Sequence, residues 1–194
     1  MENEPKNSKG LVKEFILEFI KIIIISLVVV IPVRYFLIQP FYVKGASMEP
    51  NFYDYEYLII DEISFRFRQP ERGEIVVFHS PYNWHDYFIK RIIGLPGERM
   101  VIKNGEIYVY NSEFQFGTKL DESGYLQIGV QSPGEVDLKI NEGEYFVMGD
   151  NRSSSLDSRV FGALSKDQIV GRAWLRAWPV SRLKEFSGQL YNLK

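Results

Sequence analysis

The sequence contains no cysteine. A disulfide framework, a thiol nucleophile, a thiolate zinc site and an iron–sulfur cluster are therefore excluded, although the compartment is not fixed by this. Histidine is scarce: His79 and His85 are the only two, and they do not form an HExxH pair. That argues against a histidine-rich metal site, and no metal or other cofactor is expected. There is no basic excess, with 23 Lys+Arg against 25 Asp+Glu and a net charge of −2. A nucleic-acid partner has no electrostatic footprint here. No phosphate-cradling glycine loop, internal repeat or low-complexity tract is present. What remains is a chain of 194 residues, 45% hydrophobic and 25% charged, the composition of a globular domain with room for an anchor.

The first positive signal is hydropathy. From Phe15 to Ile38 the chain reads FILEFIKIIIISLVVVIPVRYFLI, and Ile22 to Val33 carries no charge. A bilayer needs about 20 apolar residues, which the run reaches when extended back to Phe15. Glu18 and Lys21 then share a helical face at one end, where Lys21 can snorkel. Pro32 and Arg34 close the other end, with Tyr35 and Phe36 suited to the interface. A cleaved leader would have a shorter core and a small-x-small site directly behind it. Bulky residues follow instead, and the nearest small cluster is Gly45-Ala46-Ser47. The expected organisation is a cytoplasmic segment at 1–14, a single transmembrane helix at 15–38 and an extracytoplasmic domain at 39–194. Lys6, Lys9 and Lys13 in front, against Arg34 behind, favour a cytoplasmic N-terminus at the cell membrane.

After residue 39 the pattern changes to short apolar runs between turn residues. Tyr57–Asp61, Glu74–His79, Tyr87–Ile93, Glu144–Met148 and Gly171–Trp178 read as strands. Val101–Lys103 and Glu106–Tyr110 flank Asn104-Gly105, a hairpin signature. One helical turn is expected at Ser165–Ile169. The fold class is mainly β: an antiparallel domain, in two sheets, behind the anchor. The polar stretch 111–141 reads as an excursion, giving a small accessory lobe at about 103–141.

Few residues remain that could do chemistry. Ser-His-Asp catalysis would need His79 or His85, both flanking a polar loop. Serine with a lysine base is the alternative. On a strand, Phe88, Lys90 and Ile92 share one face while Ile89, Arg91 and Ile93 share the other. A lysine between apolar neighbours is placed for desolvation, which lowers its pKa, and Arg91 would add repulsion if near. At the ordinary pKa only about one part in a thousand is neutral near pH 7.4. A strand-edge lysine reaching water fits the same pattern. Ser47 lies in Lys44-Gly45-Ala46-Ser47-Met48-Glu49-Pro50, a small-residue turn that can expose a hydroxyl and unpaired N–H groups. An ordinary turn serine fits those seven residues too. Ser181-Arg-Leu-Lys184 matches SxxK literally but lacks the SDN and KTG companions. The block Gly149-Asp150-Asn151-Arg152-Ser153-Ser154-Ser155-Leu156-Asp157-Ser158-Arg159 is either a solvated turn or a frame around a site.

Taken together, these elements resemble the type I signal peptidases, membrane-anchored serine proteases with a Ser/Lys dyad. Four motifs match in order: Gly45-Ala-Ser47-Met48-Glu-Pro50, Gly73-Glu-Ile-Val-Val-Phe78, Lys90-Arg91-Ile-Ile-Gly94-Leu-Pro96-Gly97, and Gly149-Asp-Asn-Arg152 through Asp157-Ser158-Arg159 to Gly162. The resemblance implies Ser47 as nucleophile and Lys90 as general base. It implies Ser155 holding the lysine nitrogen, and Asp157 with Arg159 as a supporting ion pair. It also implies a substrate edge at Phe41, Val43 and Gly45 and beside Phe88–Lys90, including Ile89. Met48, Phe52 and Phe88 would wall a shallow pocket for a small residue at the cut. The implied partners are signal-peptide-bearing preproteins and the lipid bilayer, with Phe41, Tyr42, Phe52, Tyr53, Trp174 and Trp178 able to rest on the membrane. Two departures stand out. Asn51 occupies a position where many members have Thr, and Gly45 one where some have a serine that completes the oxyanion hole. Two rivals remain. A self-cleaving repressor would need a DNA-binding head, and a membrane-tethered non-catalytic binding module would need neither Lys90 nor the Asp150–Arg159 block. Oligomeric state is not readable from the chain.

Overall fold

The computed structural model describes residues 8–36 and 38–186, with side chains over 12–31 and 40–186. The chain divides into two units between Ile38 and Gln39.

The first unit carries α1 (Ser8–Phe36), a helix of 29 residues. Every described side chain on it, from Val12 to Ile31, is exposed. Among the described residues no helix is long and apolar enough to cross a membrane; those of α1 include Lys13, Glu14, Glu18 and Lys21. The expected flanks at Lys6 and Lys9, and the closing residues Pro32, Arg34, Tyr35 and Phe36, lie outside the described side chains.

The second unit is built of antiparallel strands. In chain order they are β1 (Ile38–Tyr42), β2 (Tyr57–Asp61), a helical turn α2 (Ser64–Phe67), β3 (Ile75–His79), β4 (Tyr87–Gly94), β5 (Arg99–Lys103), β6 (Glu106–Tyr110), β7 (Thr118–Lys119), β8 (Val136–Lys139) and β9 (Glu144–Met148). A second helical turn α3 (Ser158–Phe161) precedes β10 (Leu164–Ser165), β11 (Ile169–Trp178) and β12 (Lys184–Glu185). The large sheet runs β1-β2-β11-β3-β4-β9-β10, with β12 added to β11. The small sheet runs β7-β6-β5-β8.

Local chemistry explains much of this. Asn104 and Gly105 both have positive φ, 55° and 79°, so the two-residue turn twists with its strands and sets the Lys103–Glu106 register. Ser165 caps a 310 turn at Lys166–Gln168 through a capping box, where one helical turn was expected. The small sheet starts at Arg99, earlier than the expected lobe, and is no free excursion. Met100, Ile102, Ile107 and Val109 share a core with Ile93 of β4 and with Phe146 and Met148 of β9. Within 111–141 itself Leu120, Tyr125, Leu126 and Ile140 join that core, too sparsely spaced among polar residues to show as a pattern.

Two features position the site. β11 inserts between β2 and β3, a long-range pairing that brings the segment after β1 beside β4. β9 pairs with β4 only from Arg91 onward, while β3 pairs with it from Tyr87. The edge of Tyr87–Lys90 facing away from β3 is therefore open.

Candidate active site

Ser47 sits in the connection between β1 and β2. Reciprocal backbone bonds hold the neck of this connection, Val43 N–H to the Glu56 carbonyl at 2.8 Å and Tyr55 N–H to the Val43 carbonyl at 3.0 Å. Met48 and Phe52, both fully buried, root it in a core with Leu58, Ile60 and Val77. From the other side, Asn151 donates its backbone N–H to the Ser47 carbonyl at 3.0 Å and its side-chain amide to the Ala46 carbonyl at 3.1 Å. A serine anchored on both sides presents its hydroxyl in one direction. Its own N–H has no hydrogen-bond partner among the described residues.

Lys90 meets it from β4. Lys90 Nζ lies 2.7 Å from Ser47 Oγ and 2.9 Å from the Ile89 carbonyl, which occupies the open edge. The expected face-sharing is seen: Phe88 and Ile92 both pack with Val76 and Phe78, and the Lys90 amine stands 5.4 Å from the centre of the Phe88 ring. Lys90 is 4% exposed. Burial lowers its pKa to about 8, against the pull of the Asp157 and Asp150 carboxylates, which favour the charged form. As an ammonium the lysine donates to the hydroxyl; neutral, it accepts the hydroxyl proton.

Arg91 does not add to this depression as expected. Alternation turns it to the other face, where it donates to both oxygens of Asp150 at 2.8 and 2.7 Å and to the Gly73 carbonyl at 2.9 Å. It also stacks on Tyr125, 4.1 Å from the ring centre. Asp157 and Arg159 form the expected pair, with both contacts at 2.8 Å, and Asp157 also accepts the Gly149 N–H at 3.0 Å. Burial raises the Asp157 carboxyl, but Arg159 and that N–H outweigh it, so its pKa lies below the usual value. Arg152 is buried and donates to Glu122 at 2.6 and 2.5 Å, tying the block to the connection between β7 and β8. Ser155 Oγ is buried and makes no hydrogen bond of ordinary geometry, although its closeness helps lower Asp157. It makes no bond to Lys90, where the expectation had put it.

A cavity of about 230 Å³ opens on Ser47 and Lys90, and Phe41, Val43, Phe88 and Ile89 line it with them. Met48 and Phe52, expected to wall the pocket, instead lie beneath it with no exposed surface. Both side chains point into the core that roots the turn, so Phe52 offers nothing to a membrane either. Gly45 stands outside the cavity, exposed, its N–H bonded to Asp54 Oδ1 at 2.9 Å. Leu156 was not anticipated as a lining residue, yet it forms part of the wall. A lone leucine inside an otherwise polar block was the available signal. The frame reading of the 149–159 block holds for Asp150 and Asn151, but the part that Arg91 and Asn51 take in it was missed, because their partner Asp150 lies far off in sequence.

Comparison with known proteins gives the family. The family model described as "Signal peptidase, peptidase S26" matches residues 16–178. A probable signal peptidase I-2 of Synechocystis is 40% identical over 172 residues, covering 86% of this chain and 75% of its own. A signal peptidase IB of Staphylococcus aureus is 35% identical over 182 residues, covering 89% and 94%. A crystal structure of a signal peptidase I from Enterococcus faecalis V583 is 30% identical, covering 54% of this chain and 97% of its own, at a TM-score of 0.44, too low to bear on the fold.

Proposed function

We propose a mechanism from one premise: the chain belongs to the signal peptidase family, peptidase S26, and is a serine endopeptidase that removes signal peptides. In this mechanism Ser47 is the nucleophile and Lys90 the general base. The observation that carries it is the 2.7 Å approach of a buried amine to a serine hydroxyl at the mouth of a cavity.

Neutral Lys90 takes the Ser47 proton as Oγ attacks the scissile carbonyl. The oxyanion forms beside the unpaired Ser47 N–H, one donor of its hole. The resulting ammonium protonates the leaving amine, and the acyl group stays on Ser47. Lys90, neutral again, then takes a proton from the water that releases the signal peptide. Asp157 with Arg159 braces the block opposite the amine. Ser155 Oγ, without a bond of its own, is the spare acceptor that can steady the ammonium. The substrate lies extended between Phe41–Val43 and the open edge at Phe88–Lys90, adding its backbone to an unpaired strand. Apolar side chains of the signal peptide enter the cavity at Phe41, Val43, Phe88 and Ile89, with Leu156 as a further wall.

The test is a pH profile of kcat/KM on a peptide with an Ala-x-Ala site. With a pKa of about 8, roughly one-fifth of Lys90 is neutral at pH 7.4. The rate should rise with pH and level off above about pH 8. No cleavage at any pH, or a rise that begins only near pH 10, would overturn the assignment of Lys90.

We also propose that α1 tethers the enzyme to the cell membrane, with the catalytic unit outside. Its exposed isoleucines and valines between Ile22 and Ile31, followed in sequence by Pro32 and Val33 without a charge, support this. A protease added to intact spheroplasts should cut within residues 39–194 and spare the lysine-bearing front. Protection of the catalytic unit until lysis would reverse the orientation.

A further inference from the structure

We infer that Asn51 is a positioning residue that fastens the Ser47 turn to the buried Asp150–Arg91 pair. This rests on the dyad reading above and extends it to a residue outside the cavity.

Asn51 follows the nucleophile by one turn of chain and is half-buried. Its side-chain amide donates to Asp150 Oδ2 at 2.9 Å and to the Tyr125 carbonyl at 2.8 Å, so both hydrogens are used. Asp150 in turn accepts Arg91, the immediate neighbour of Lys90. Ser47 and Lys90 are thus joined twice, once directly and once through Asn51, Asp150 and Arg91. The backbone of Asn51 is held too, because its carbonyl accepts Arg176 Nη1 at 2.7 Å. Arg176 is buried and also bonds Glu56 at 2.9 Å, the residue that closes the neck of the turn. Asn51 is where three parts of the fold meet: the turn, the Asp150 block and β11.

The chemistry needs this asparagine to be a donor. The Asp150 carboxylate is buried and can only accept. An aspartate at 51 would keep the shape and place a second carboxylate against the first. A purely space-filling role would accept that change, whereas a fastening role would not.

The experiment compares Asn51→Ala, Asn51→Asp and the parent on one Ala-x-Ala peptide, at a temperature where melting curves show all three folded. Asn51 does not line the cavity, so KM should hold while kcat falls. A turn displaced by a fraction of an ångström should cost about tenfold to a hundredfold in kcat for Asn51→Ala, and more for Asn51→Asp. If Asn51→Asp does not fold, Asn51→Ala is combined with Asp150→Asn. The second change should then add less to the first than it costs alone, since both break one link. Parent-like kcat in Asn51→Asp, or additive losses in the pair, would overturn the inference while leaving the dyad intact. A parent enzyme that cleaves nothing would overturn both.

Discussion

Ser47→Ala and Lys90→Ala should each lower kcat/KM by roughly a thousandfold or more, and the double variant should be no worse than either. The two atoms are 2.7 Å apart and share one proton, so removing either partner removes the unit. Lys90→Arg should be equally inactive, because guanidinium stays protonated and cannot act as a base. Stability separates this from unfolding. A lysine whose folded pKa is lowered from 10.5 to about 8 is destabilising wherever it is charged in the fold. The penalty is fully present below about pH 8, on the order of 3 kcal/mol, and fades as pH rises toward the unfolded pKa. Lys90→Met should therefore melt higher than the parent at pH 7, and the gap should close by about pH 10. An inactive Lys90→Met that melts lower at pH 7 would mean that the amine is not held against its solvation. Substantial cleavage by any of the single variants would remove the dyad from the mechanism.

The legible part of this molecule was the part written in local chemistry. Strand alternation placed Lys90 on the Phe88 and Ile92 face, and Asn104-Gly105 fixed its hairpin. The small-residue turn at Ser47 and the polar block after β9 were visible as candidates, but only the order of four motifs joined them into a site. What could not be read was which distant groups neutralise each other. Arg91 looked like a second positive charge beside Lys90, and its pairing with Asp150, far along the chain, reverses that inference. Met48 and Phe52 were expected as pocket walls on the family resemblance alone. Their burial depends on β11 running beside β2, a pairing that no local pattern announces. The same long-range order hid the shared core beneath the small sheet.

Gly149→Ala should be the most damaging change outside the dyad. The residue follows β9 directly, where the chain passes between the Ser47 turn and Ser155. A Cβ built there would overlap the Ser47 carbonyl oxygen and Ser155 Oγ, and would stand 2.6 Å from Ser155 Cβ. Neither neighbour can yield cheaply. The Ser47 carbonyl is already fixed by the Asn151 N–H, and rotating the Ser155 hydroxyl away would still leave Ser155 Cβ in the way. Gly149 itself is tied to Asp157 through its N–H and to Arg152 through its carbonyl at 3.1 Å, so it cannot retreat. Overpacking of this kind costs about 1–3 kcal/mol. The strain should fall on the nucleophile, and a displacement near 1 Å is worth about a hundredfold in rate. Gly129→Ala is the control. That glycine has φ +89° and nothing within 4 Å of an added Cβ, so it should lose a little stability through its backbone and keep full activity. Measured side by side, Gly149→Ala should show a lower melting temperature and a hundredfold fall in kcat/KM, the latter out of proportion to the former. Parent-like kinetics in Gly149→Ala would show that the Ser47 turn can move without consequence, and that Asn151 does not fix the position of the Ser47 hydroxyl.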